Sequence, residues 1–171
     1  MSTHEEVVTP HADHLPHSRV IAIAIDESKF SEFAFDWTLA NIVRPESDQI
    51  VLLHVRPVIS APTVYATTIA VDLTSEAVVL ENANRKHSHE LLQSFANRVS
   101  PKAFNLRGVG LRGDPREEIP LKVAELRVDV LVVGNRGLSK FKESVLGSVS
   151  QFLVHHSQVP VIVAHPPQIE N

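Results

Sequence analysis

Apolar residues in this chain gather into short unbroken runs, and between the runs they fall back to helical spacing. VIAIAID (20–26), QIVLLHV (49–55), DVLVVG (129–134) and PVIVAH (160–165) are apolar almost throughout, as strands buried on both faces must be. Residues 104–111 form a weaker run of the same kind, a further strand in this reading. Strands of this type, separated by helical patterns, predict a single α/β domain built on a parallel sheet.

The intervening segments carry helix signals. Asp26-Glu27-Ser28 opens a predicted helix: Ser28 caps its first turn, and Phe30, Ala34, Trp37 and Val43 recur near helical spacing. Glu76 to Val99 reads as a long amphipathic helix, with Val79, Leu91, Leu92, Phe95 and Val99 opposite Arg85, Lys86, His87 and Glu90. Asp114-Pro115-Arg116-Glu117 places an acid at the N-cap, a proline at N1 and a glutamate at N3. Pro120 removes a hydrogen-bond donor inside that helix and is expected to bend it. A last helix is expected from Val145 to His156. Residues 56–75 form a longer connection than most and read as a lid or variable surface loop.

Composition narrows the picture. With 171 residues and 43% hydrophobic content, the chain suits one globular domain. Residues 1–18 are polar and broken by Pro10 and Pro16, so they are expected to form a flexible tail ahead of a domain over 19–167, with a short tail at 168–171. The absence of cysteine excludes disulfides, thiolate zinc sites and cysteine nucleophiles, and fits a reducing compartment. A net charge of −4 argues against a nucleic-acid partner, and no apolar run reaches transmembrane length, which argues against a membrane. The N-terminus lacks an apolar signal core and carries acids, so a cytoplasmic location is expected. His4, His11, His14 and His17 could suit zinc, copper or nickel, but nothing in their spacing fixes a ligand geometry, and no metal site is assigned.

Two glycine motifs compete for chemistry. Gly108-Val109-Gly110-Leu111-Arg112-Gly113 matches GxGxxG, yet it follows the third strand rather than the first. Asp129, the nearest later acid, opens a strand instead of closing one, so a glycine-permissive strand end and turn is the better account. A P-loop, a GxSxG elbow and HExxH are all absent, and His54 lies inside a strand as a core histidine. The stretch GNRGLSKFKESVLGSVSQ (134–151) differs: it holds three of the six glycines, ends a buried strand and opens a helix. Glycine lets a ligand approach the backbone, and free N–H groups at a helix N-terminus bind phosphate. Ser148 and Ser150 add hydroxyls; Arg136, Lys140 and Lys142 add positive charge.

Gly134-x2-Gly137-x9-Gly147-Ser148, set between VLVVG and PVIVAHP, resembles the ATP-binding signature of the universal stress protein family. Asp26-Glu27-Ser28 with Ser31, Ala34 and Trp37, then VLLHV (51–55), then GDPREEI (113–119), agree with it, so the resemblance covers about residues 18–167. It implies a Rossmann-like domain: a five-stranded parallel sheet in the order 3-2-1-4-5 with helices on both faces, and a nucleotide at the carboxyl ends of strands 1 and 4. It implies that Ala24, Ile25 and Asp26 face ribose and adenine, and that Val55 offers backbone hydrogen bonds to adenine. Val133, Gly134, Arg136 and Gly137 would line the ribose and α-phosphate, and Gly147, Ser148, Val149 and Ser150 would hold the outer phosphates. A homodimer joined through strand 5, Pro160 to His165, is also implied.

The function expected is that of a nucleotide-responsive regulatory module in stress response, binding ATP, or AMP or ADP, with Mg²⁺. No nucleophile–base constellation can be assembled from the ordered motifs, so no catalytic residue is assigned. Two rivals stand beside it: a slow ATPase or autophosphorylating enzyme using Ser148 or Ser150, and a nucleotide-free dimeric interaction protein.

Overall fold

The computed structural model describes residues 6–7, 19–58, 73–100, 104–135 and 146–167. Its strands are β1 (Glu6–Val7), β2 (Arg19–Ala24), β3 (Asp48–Arg56), β4 (Asn105–Arg112), β5 (Val130–Gly134) and β6 (Val161–Ala164). Its helices are α1 (Lys29–Asn41), α2 (Leu73–Ala96), α3 (Pro115–Glu125) and α4 (Ser148–His156). Among the described residues no helix is long and apolar enough to cross a membrane. The tail histidines and Val145 lie outside the described residues.

One sheet has the order β1-β4-β3-β2-β5-β6. The five strands from β2 to β6 are parallel and reproduce the expected 3-2-1-4-5 order. β1 is an addition to that expectation: Glu6 pairs antiparallel with Gly110, and Val7 with Val109. Gly108 and Gly110 therefore lie within a paired strand, not in a phosphate-binding turn.

Alternation along the strands builds two apolar layers. Ile21, Ile23, Ile50 and Leu52 bury one face with Phe35 of α1 and Leu92 and Phe95 of α2. Ala22, Val51, Leu53, Val109 and Leu131 bury the other with Ile119 and Val123 of α3 and Leu153 of α4. Phe35 and Phe95 meet edge to face, 5.2 Å between centroids and 82° between planes, and Arg98 lies over both rings. At the amino ends of the strands, Arg19 Nε donates to Asp48 Oδ1 at 3.1 Å.

Several elements depart in detail from the sequence reading. The core face of α1 is Ser31, Ala34, Phe35 and Thr38, a 3–4 repeat that admits two hydroxyls because each finds a partner: Thr38 Oγ1 donates to Ala34 O at 2.6 Å. Val79, expected on the apolar stripe of α2, is 67% exposed. Glu81 pairs with Arg56, the last residue of β3, and Val78 and Leu80, which flank Val79 in the turn before Glu81, are exposed as well. α3 runs through Pro120 as a helix, and α4 begins at Ser148, with Gly147 as its N-cap.

A cavity at the carboxyl ends of the strands

β2 lies at the point where the strand order reverses, with β3 on one side and β5 on the other. Open α/β sheets leave a crevice there, beyond the carboxyl ends of the strands. In this chain it is a cavity of about 280 Å³, bounded by the ends of β2, β3 and β5 and by the first turns of α1, α3 and α4. Its volume stands near the small end of small-molecule sites, roughly 300–1,000 Å³.

Three helix N-termini thus face one space, each with unpaired N–H groups and a positive dipole end. Two are capped by side chains. Ser28 Oγ accepts from Ser31 N–H at 3.3 Å, and Asp114 Oδ1 accepts from Arg116 N–H at 2.9 Å. The Arg116 guanidinium, with its backbone N–H, brings the Asp114 carboxyl down to about 2. The third helix, α4, has no side-chain cap. Its first intrahelical donor is Gln151 N–H, which reaches Gly147 O at 2.8 Å, so the N–H groups of Ser148, Val149 and Ser150 have no acceptor within the helix.

Asp26 sits between β2 and α1 and organises the turn. Its Oδ1 accepts from Ser28 N–H at 2.9 Å and from the Ser28 hydroxyl, while its own N–H donates to Ser31 Oγ at 3.0 Å. Ile25 N–H donates to Leu53 O at 2.8 Å and carries the strand pairing one residue past β2. On β3, His54 Nδ1 shares a hydrogen bond of 2.7 Å with Ser88 Oγ of α2. Burial, aided by the nearby charge of His87, pushes the His54 imidazole below its usual value and keeps it neutral near pH 7.

The two described glycines of the signature have different physical reasons. A Cβ at Gly134 would stand 2.6 Å from Phe30 O and 2.9 Å from Ser31 N, so glycine there lets α1 approach the end of β5. Among the described residues a Cβ at Gly147 would meet only Ser150 Oγ, at 3.8 Å, and its backbone (φ −58°, ψ 149°) is open to any residue. Neither its conformation nor its packing against the described residues requires glycine at 147.

Of the residues expected at the site, Ala24, Ile25, Asp26, Val55, Val133, Gly134, Gly147, Ser148, Val149 and Ser150 all line this cavity. Arg136 and Gly137, with Lys140 and Lys142, lie outside the described residues. Ser28, Ser31, Leu53, His54, Pro115 and Ile119 line it as well, beyond the expected set. Ser28 was legible as a cap, but Pro115 and Ile119 reach the cavity only through the crossover that brings α3 to the same end of the sheet, which no local pattern announces. His54, read as a core histidine, is partly buried and stands on the cavity wall.

Comparison with known proteins agrees with this architecture. The chain is 32% identical over 136 residues to a universal stress protein A-like protein of Arabidopsis thaliana, covering 75% of this chain and 74% of that one. It is 30% identical to the Arabidopsis universal stress protein PHOS32, where 87% of this chain spans 65% of the relative's length. Among solved structures, an Arabidopsis universal stress protein family protein with AMP bound superposes with a TM-score of 0.63 at 26% identity, over 87% of this chain and 92% of that one. The fold also matches that of the Methanocaldococcus jannaschii protein MJ0577, with a TM-score of 0.72 at 21% identity, over 88% and 98% of the two chains. The profile of the universal stress protein family matches residues 17–165, and the chain belongs to that family.

Proposed function

We propose that the cavity binds an adenine nucleotide, ATP or its shorter relatives AMP and ADP, and that the protein is a nucleotide-responsive module of stress response rather than a rapid catalyst. Gly147 carries the reading. Among the described residues it is a glycine with open space beside it, at the uncapped N-terminus of α4, on the wall of a cavity. A missing side chain with no packing or backbone cause is explained by a ligand that needs the space, and N–H groups at a helix start suit phosphate. Ile25, Leu53, Val55 and Ile119 offer the same cavity an apolar wall for a planar base. The AMP-bound Arabidopsis relative supports the choice of an adenine nucleotide.

Mg²⁺ fits this reading as a companion of the phosphates. Among the described residues no group of three His, Asp or Glu side chains could hold a metal, so the ion would arrive on a triphosphate, as Mg²⁺ commonly does. The working form is a cytoplasmic homodimer paired along β6. Calorimetry with ATP, ADP and AMP, with and without Mg²⁺, tests the binding, and the small molecule released on denaturing the purified protein shows what it carried. Micromolar binding of at least one nucleotide is expected. No binding and no released nucleotide would favour a nucleotide-free dimer, and many turnovers per second would favour an enzyme.

A further inference from the structure

Asn135 and Ser150 are polar, contribute no hydrophobic packing, and are nevertheless 5% and 6% exposed. Each reaches across the same gap. Asn135, one residue past β5, accepts at Oδ1 from Gly147 N–H at 3.3 Å. Ser150, in the first turn of α4, donates its hydroxyl to Gly134 O at 2.8 Å. Both bonds are donated from the start of α4, one by the Gly147 N–H and one by the Ser150 hydroxyl, and both are accepted at the end of β5. Asn135 is itself pinned to the sheet, since its N–H donates to Ala164 O of β6 at 3.0 Å.

We infer that Asn135 and Ser150 are positioning residues, a two-bond latch that holds the uncapped start of α4 at a fixed place against the sheet and so presets the phosphate-facing N–H groups. The inference rests on the nucleotide reading given above and assigns roles within it. Gly147 N–H is taken by Asn135, which leaves the N–H groups of Ser148, Val149 and Ser150 for an anion. The Ser150 hydroxyl hydrogen is committed to Gly134, so Ser150 serves the site by holding the helix, not by donating to an outer phosphate. Ser148, which is exposed, is the hydroxyl left to meet the ligand. A donor array fixed in advance needs no ordering when phosphate arrives, so loosening the latch weakens every phosphate-bearing ligand and leaves the nucleoside untouched.

The experiment compares wild type with Asn135→Ala, Ser150→Ala and Ser150→Thr. Amide hydrogen exchange in ligand-free protein reads the latch directly. Calorimetry with adenosine, AMP and ATP reads its effect. Exchange at the Gly147 amide is expected to rise at least about tenfold in Asn135→Ala, as loss of one hydrogen bond allows. AMP and ATP are expected to weaken together by about tenfold in both alanine variants, with adenosine unchanged and Ser150→Thr close to wild type. Equal weakening of adenosine would mean general damage and overturn the latch. Weakening of ATP alone by Ser150→Ala, with AMP unaffected, would make Ser150 a direct ligand of the outer phosphates and overturn it too. If wild type binds none of the three ligands, the nucleotide reading fails, while the exchange rate at Gly147 still decides whether Asn135 holds the helix.

Discussion

Two glycines thirteen positions apart separate packing from ligand chemistry. Gly134→Ala sets a Cβ at 2.6 Å from the Phe30 carbonyl oxygen, a backbone atom that cannot rotate away. The variant is expected to lose stability by about 1–3 kcal/mol, the usual cost of an overpacked position, and to melt several degrees lower. Among the described residues a Cβ at Gly147 meets open space, so the melting temperature of Gly147→Val is expected to stay close to wild type while ATP binding is lost. The pair is read by thermal denaturation and calorimetry. A Gly147→Val protein that still binds ATP at wild-type affinity removes the argument for phosphate at α4. Asp26→Ala is expected to weaken binding by less, about 1.5–3 kcal/mol, the range for a hydrogen bond to a charged group. The signature was legible in the sequence as a cluster of glycines, but spacing alone gave them one shared role. Only the backbone of α1 lying against β5 assigns Gly134 to packing.

At the scale of an element, β3 carries a titratable group near each end. Burial works against the charge of Asp48, but the hydrogen bonds from Arg19 and from Arg44 N–H outweigh it and hold the carboxyl below its ordinary value of 3.8. Its contribution to stability is therefore present above that value and lost as pH falls through the lowered one. His54 has a folded value lowered from 6.5, so the unfolded chain takes up its proton first and stability declines as pH drops below about 6.5. Denaturant titrations between pH 7.5 and 5.5 are expected to show that decline in wild type and a flatter profile in His54→Gln. An unchanged slope in the variant would assign the dependence to other groups. The inner strands β2, β3 and β5 were legible because their middle residues are buried on both faces and so read as near-continuous apolar runs. The caps Ser28 and Asp114 were legible from residue type. The exposure of Val79 was not, since its apolar side chain in an amphipathic pattern reads as part of the core stripe. β1 was not legible either, because two residues carry no period.

At the scale of the whole molecule, the edges of the sheet differ. β1 pairs along β4 at Val109 and Gly110, whereas β6 ends the other side of the sheet with Val161, Ile162 and Val163 half-buried. An apolar edge strand with unpaired N–H and C=O groups invites another strand, and β6 is the edge on which a second copy is proposed to pair, antiparallel, about a two-fold axis. The hydrogen-bond pattern says which residues would meet it. Pro160 O and Ala164 O accept from Leu131 N–H and Asn135 N–H of the β5 side, at 3.0 Å each. By the two-residue alternation of a strand, Val161 and Val163 turn their backbone groups outward. Val163→Pro removes a donor from the outer ladder without touching the bonds to β5, and an edge strand tolerates proline there. Light scattering at micromolar concentration is expected to give twice the monomer mass for wild type and the monomer mass for Val163→Pro, with α/β secondary structure retained in both. A wild-type monomer refutes the edge pairing, and a Val163→Pro dimer moves the interface to another face of the molecule.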